Sequence, residues 1–387
     1  MARRPSKSRH GLRRPETRLE PLKDQPRAPV SGPQPRQAIL EMHPYEWEPP
    51  SAKIARQAGV PEDQVLRFDT NTLPWAGASV DGLRLPPLNE YPDTSYGALI
   101  SSLAAYTGAE ADAITIGAGA DELLDMVAKA YIGPGDPVVL SRLTYAMFRI
   151  VSEMAGGSVE AVATDGLSLD RAGLLQRARQ ARLTWLCNPN NPTGELLPLG
   201  FIEELADATP GVVAVDEAYF EFSGVSAAGL ADRYPNLLVV RTLSKAFGLA
   251  GVRVGYALAG QAITSALRRV RPPGSVSVVS EALAVQSLGD QATMRNRVEQ
   301  ITAAREELRR DLAAAGFEVS ASAGNFLLVR TGDGIAPALL RRGLVVRTFG
   351  ARSPLAAFIR ITVRTPAENR RLLEAMADWR RTSRAGS

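Results

Sequence analysis

The stretch Leu237-Leu-Val-Val-Arg241-Thr-Leu-Ser244-Lys245-Ala-Phe-Gly-Leu-Ala-Gly-Val-Arg253-Val-Gly-Tyr256 sets one lysine between two apolar runs, 237–241 and 254–258. Upstream, Gly211-Val-Val-Ala-Val-Asp216-Glu-Ala-Tyr219-Phe-Glu-Phe222 is a β-branched run that ends on a carboxylate. A short apolar run of this kind reads as a parallel strand buried on both faces. A carboxylate at its carboxyl end faces the crevice where open α/β sheets bind ligands. Earlier still comes Leu186-Cys-Asn-Pro-Asn-Asn191-Pro-Thr-Gly194, whose prolines and glycine force a turn after the strand 183–187 and put Asn191 at the sheet's edge.

Taken singly, each of these residues has an ordinary structural use: a solvated lysine, a loop aspartate, an Asn-Pro turn. In this order the three blocks resemble the class I/II aminotransferases that use pyridoxal phosphate (PLP), the aspartate aminotransferase fold type. Within them the resemblance is to the histidinol-phosphate aminotransferase family, over roughly residues 37–380. It implies that Lys245 is the Schiff-base lysine holding PLP, which serves as an electron sink for a carbanion at the substrate α-carbon. Asp216 then keeps the pyridine nitrogen protonated, and Tyr219 and Asn191 donate to the cofactor's phenolic oxygen. Tyr145, in Leu-Thr-Tyr-Ala-Met-Phe, looks like the aromatic that stacks on the ring. Tyr91, in Asn-Glu-Tyr-Pro-Asp, resembles a tyrosine that reaches the cofactor phosphate from the neighbouring subunit, which implies a homodimer with shared sites.

The phosphate end can be read independently. The run 113–117 leads into Ala118-Gly119-Ala120-Asp121-Glu122, followed by Leu123, Leu124, Val127 and Ala128 at helical spacing. Small residues let backbone approach an oxyanion, Asp121 is placed as an N-cap, and the first turn's amides point at the anion. Gly119, Ala120 and Asp121 are the expected cradle. Arg253 supplies countercharge, with Ser244 and Thr242 adding hydroxyls. A dinucleotide fingerprint is a poor match, because Gly117-Ala118-Gly119 lacks its third glycine.

For the substrate, the resemblance assigns Arg360, in Phe-Ile-Arg-Ile-Thr-Val-Arg-Thr, to the α-carboxylate as a bidentate fork, with Asn71 steadying the same group. Arg347 matches an arginine that contacts a substrate phosphate, and Tyr45 lines the same pocket. The implied reaction is L-histidinol phosphate plus 2-oxoglutarate giving imidazole acetol phosphate and L-glutamate, with the freed Lys245 amine moving the proton. Three departures bear on substrate choice. The family's Asn-Glu-Asn-Pro is Asn71-Thr72-Leu73-Pro74 here, its usual glycine is Arg364, and the segment 271–277 lacks an aromatic often found there. Arg364 is left with three roles: reading substrate, facing solvent or pairing with an acid. Other aminotransferases, aromatic or of a specialised pathway, and threonine-phosphate decarboxylase share every cofactor residue and differ only around Arg347, Arg364 and Gly274.

The fold expected is α/β, with strands at 113–117, 137–140, 159–163, 183–187, 212–215, 237–241 and 254–258. Helical stretches between them predict a large domain with a mostly parallel seven-stranded sheet flanked by helices, plus a smaller α+β domain. The expected division is a basic, proline-rich disordered tail at 1–36, the start of the small domain at 37–75, the large domain at 76–275 and the rest of the small domain at 276–382. The chain has 387 residues and is 45% hydrophobic, enough for a large core. Its formal net charge of +4 owes much to the tail and calls for no nucleic acid, and that tail is too short and proline-rich for the winged helix of PLP-fold transcription regulators. No apolar run suits a membrane span or signal peptide. Cys187 is the only cysteine, which fits the cytoplasm. With only His10 and His43, a histidine metal cluster or a Ser-His triad has too few members.

Overall fold

A computed structural model describes residues 35–42 and 49–385. Seven strands form the large sheet, in the spatial order Ile114–Gly117, Gly255–Ala259, Leu237–Thr242, Val212–Asp216, Leu183–Cys187, Pro137–Ser141, Ser158–Val162. All run parallel except Gly255–Ala259, which is antiparallel to both neighbours. Period-two alternation sorts the central strands onto two cores. Val213, Val215, Leu237 and Val239 join one cluster, with helices Gly97–Thr107 and Leu199–Ala208. Val212, Ala214, Leu238 and Val240 join the other, under helices Ala120–Tyr131, Ala146–Ala155 and Gln261–Val270. Both faces are thus covered, which is why these strands read as continuous apolar runs rather than alternating ones.

A second sheet of five strands has the order Leu66–Phe68, Leu344–Thr348, Phe358–Thr362, Phe326–Arg330, Glu318–Val319. Its first strand comes from the beginning of the chain and pairs parallel with Leu344–Thr348, so the two ends of the sequence build one sheet. The chain leaves Phe68 directly for the carboxyl edge of the large sheet. One boundary differs from the sequence expectation. Helix Val278–Gly289, capped by Ser277 through Ser280 N, packs on Gly97–Thr107 of the large sheet's layer. The large unit therefore continues a helix beyond 275. The tail 1–34 lies outside the described residues.

Candidate active site

The candidate residues lie on loops that leave the carboxyl edge of the six parallel strands, and the antiparallel strand Gly255–Ala259 presents its amino end there, so Arg253 joins them. Lys245 follows the strand Leu237–Thr242 and is partly buried. Its Nζ donates to the Thr70 carbonyl at 3.3 Å and sits 5.7 Å from the centre of the Tyr219 ring. Burial first, and then the Arg360 charge, lowers its pKa to about 8. Asp216 ends Val212–Asp216 in register with Cys187, and its Oδ1 accepts from Ala218 N at 3.0 Å. Burial raises its pKa to about 7.

Tyr219 is buried, edge-on to Phe326 at 5.1 Å, and its hydroxyl accepts from Asn71 Nδ2 at 3.0 Å. Burial pushes its pKa up. Asn71 has a positive φ of 51°, its backbone N donates to Thr362 Oγ1, and its Oδ1 accepts from the same hydroxyl. One of the two amide hydrogens of Asn71 thus goes to Tyr219, a contact beside the expected one to a substrate carboxylate. Arg360 donates through Nη1 to Asn191 Oδ1 at 2.7 Å and through Nη2 to the Asp69 carbonyl at 2.6 Å. That orientation leaves the Asn191 amide nitrogen as its donor toward the pocket.

At the other end, Gly119, not Asp121, caps helix Ala120–Tyr131, because its φ of 83° makes the entry turn that a side chain resists. Gly119 N is spent on the Gly117 carbonyl at 2.8 Å, so Ala120 and Asp121 supply the free first-turn amides. Gly119 supplies room: a Cβ there would lie 2.4 Å from Arg253 Nη2. The Asp121 carboxylate, instead of capping, meets Arg253 Nη2 at 3.2 Å and accepts from the Tyr145 hydroxyl at 2.9 Å. Thr242 Oγ1 lies 2.8 Å from Ser244 Oγ and accepts from Ser244 N, so it shapes the turn into Lys245.

Arg347 and Arg360 are paired residues of adjacent antiparallel strands and project from one face of the small sheet. Arg364 takes the third role open to it: Nη2 pairs with Glu368 Oε1 at 2.8 Å and Nη1 donates to the Arg67 carbonyl. It braces the start of helix Pro366–Ala385. Tyr91 is 96% exposed on this single chain. Tyr45 lies outside the described residues.

The sequence profile of the family "Aminotransferase class I and II" matches residues 66–376. The chain belongs to this family. Among class I and II aminotransferases it is 36% identical over 359 residues to histidinol-phosphate aminotransferase 1 of Thiobacillus denitrificans, covering 88% of this chain and 92% of that one. It is 38% identical over 291 residues to an aromatic amino acid aminotransferase of Rhodococcus jostii, covering 73% and 80%. The crystal structure of histidinol-phosphate aminotransferase from Sinorhizobium meliloti in complex with pyridoxal-5'-phosphate superposes with a TM-score of 0.79 at 27% identity, covering 89% of this chain and 97% of that one.

The residues here fit such a cofactor. A buried carboxylate whose pKa burial has raised, a part-buried amine of lowered pKa and a cradle closed to side chains are the parts it requires. Three supporting residues escaped the sequence reading. Asp69, fixed by a bidentate pair with Arg67 at 2.8 and 2.7 Å, aims its carbonyl at Arg360. Thr362 and Asn325 hold Asn71, the latter through its carbonyl at 3.1 Å. The alternation Arg67-x-Asp69 on a strand signals a pair on one face. Asn325 gave no signal, because its partner lies 254 residues away.

Proposed function

We propose that this protein is a PLP-dependent transaminase that moves an amino group between L-histidinol phosphate and 2-oxoglutarate, acting as a cytoplasmic homodimer. Bound PLP supplies the electron sink for the pair left when a proton departs the substrate α-carbon. Lys245 anchors it and, once displaced, takes that proton on Nζ; a pKa near 8 leaves a useful fraction neutral at physiological pH. Asp216 holds the proton on the pyridine nitrogen, and that cation in turn keeps Asp216 ionised against its burial. Tyr219, with Asn71 behind it, and Asn191 hold the phenolic oxygen. Ala120 and Asp121 amides, Ser244 and Arg253 take the phosphate, Tyr145 lies against the ring, and Tyr91 comes from a second copy. Cys187, lone and buried, suits a reducing compartment.

The observation that carries the substrate is the Arg347–Arg360 register. It sets two guanidinia opposite each other on adjacent strands. Arg360 is turned toward the site, since it bonds Asn191 and its charge acts on Lys245. In this reading the α-carboxylates of the keto acid and glutamate use Arg360 in one half-reaction, and the phosphate of histidinol phosphate, which carries no carboxylate, uses Arg347 in the other. Aromatic transamination is the second reading, supported by the Rhodococcus jostii relative. Arg347→Ala separates the two. It should lower kcat/KM for histidinol phosphate by about ten- to a hundredfold, the worth of a charge-assisted contact, while leaving phenylalanine turnover within twofold. Equal loss on both donors, or wild-type preference for phenylalanine, would reject histidinol phosphate as substrate.

A further inference from the structure

Glu122 occupies the first turn of helix Ala120–Tyr131, one residue past the cradle, yet among the described residues it forms no ion pair. Its Oε2 accepts two hydrogen bonds at once: from Ala118 N at 2.6 Å and from Ser275 Oγ at 2.8 Å. The first resembles the reach-back of a capping box but lands one residue earlier, on the amide before the N-cap. It fixes Ala118 while Gly119 turns at φ 83°, so the amides of Ala120 and Asp121 emerge in one direction. Gly117 leaves the carboxylate little freedom, since a Cβ there would lie 2.8 Å from Leu123 and 3.3 Å from Glu122 Oε2.

Ser275 is itself held. The next residue, Val276, exchanges hydrogen bonds with the buried Tyr96 hydroxyl at 3.2 Å through both N and O. Arg271 donates to the Thr94 carbonyl at 2.7 Å and lies over the Tyr96 ring, and Gly274 packs against Pro92, beside Tyr91. The segment 271–277, which departs from the family pattern, thus grips the segment that follows Tyr91 and offers one hydroxyl to Glu122.

From this geometry we infer that Glu122 is a positioning residue for the cofactor phosphate: braced by Ser275, it sets the shape of the Gly117–Asp121 turn without touching the phosphate. The inference rests on reading that turn as the phosphate cradle. A carboxylate so near a dianion costs electrostatic energy, so its use here is geometric, and an uncharged side chain with the same acceptor serves equally well.

The full chain, stripped of cofactor, is titrated with pyridoxamine 5'-phosphate and with pyridoxamine, following tryptophan fluorescence. The ratio of the two dissociation constants isolates the phosphate contribution and needs neither turnover nor Lys245 chemistry. Glu122→Ala should reduce that ratio by about tenfold or more, the worth of a charge-assisted bond, while pyridoxamine binding stays within twofold. Glu122→Gln, which keeps an acceptor oxygen, should restore the wild-type ratio. Ser275→Ala should fall between, and Ser275→Thr should recover. An unchanged ratio in Glu122→Ala, or equal weakening of both ligands, overturns the inference, as does failure of Glu122→Gln to rescue. Arg253→Ala, which removes a phosphate contact outright, is the control: an unchanged ratio there overturns the cradle reading itself. A loss in Arg253→Ala with none in Glu122→Ala overturns only the role of Glu122.

Discussion

At the scale of single residues, the site works by opposing burial to charge. Asp216 is deeply buried and Lys245 partly so, and removal from water shifts their pKa values toward each other, to about 7 and about 8. The neutral amine is the form that reacts with the cofactor aldehyde. Because the pKa lies below the ordinary lysine value, covalent loading of apoprotein should accelerate as pH rises through about 8 and level off above it, where the amine is already neutral. Arg360 contributes to that lowering, so Arg360→Ala should move the midpoint upward, as read by visible absorbance against time across a pH series. A midpoint that fails to move would assign the shift to burial alone. Asp216→Asn tests the other half. An amide cannot hold the pyridine nitrogen protonated, so the variant should retain the cofactor, trapped on Lys245 by borohydride and located by mass spectrometry, yet lose at least a hundredfold in kcat, the scale of general acid–base effects. Near-normal turnover would mean that the strand-end carboxylate has another purpose.

At the scale of elements, the catalytic loop after Val212–Asp216 is held from behind. Glu217, the residue after Asp216, is fully buried and pairs with Arg241 Nε at 3.0 Å, while Ser226 Oγ donates to it at 2.8 Å. The Arg241 guanidinium lies 3.6 Å from the centre of the Phe220 ring, so one arginine fixes the residues on either side of the Ala218–Tyr219 turn. Breaking a buried pair leaves an unpaired charge, and Glu217→Ala should cost about 3–5 kcal/mol of unfolding free energy in urea titrations. The double variant Glu217→Gln with Arg241→Met should recover much of that loss, because no buried ion then lacks a partner. Equal destabilisation in both proteins would show that packing, rather than charge, holds the loop. The strands around this loop were legible in the sequence because apolar runs buried on both faces carry their own pattern; 183–187 matches to the residue, and the others within two. The positions of Asp216, Lys245 and Asn191 at the sheet's edge were legible because Asp216 ends such a run and the other two lie in the turns that follow one. Asp121 was misplaced by one turn of logic, since a glycine needs no side chain to cap a helix. The braces, Glu217 to Arg241 and Asn71 to Thr362, were not legible, because their partners are distant in sequence and no local spacing encodes them.

At the scale of the whole molecule, the surface of one chain is unfinished near residue 91. Of the six exposed large apolar side chains among the described residues, Val80, Leu85, Leu88 and Tyr91 fall within twelve positions. A soluble chain rarely leaves such a concentration uncovered. The same segment is anchored at its far end, where Arg271 and Val276 hold Thr94 and Tyr96, so Tyr91 is presented outward from a fixed base. A two-fold related copy seated here would bury the patch and receive Tyr91, and each copy would complete the other's site. Complementation tests this directly. Chains carrying Lys245→Ala lack the amine but keep Tyr91; chains carrying Tyr91→Ala keep the amine. Each alone should be nearly inactive, whereas unfolding and refolding an equal mixture yields hybrids in which one site has both intact residues. Half of randomly assorted dimers are hybrids with one whole site of two, so activity should recover to about a quarter of wild type. Mixing either protein with a chain carrying both substitutions should recover nothing. If Tyr91→Ala alone keeps full activity, or the wild-type chain sediments as an active monomer, then each chain completes its own site and the apolar segment covers something else.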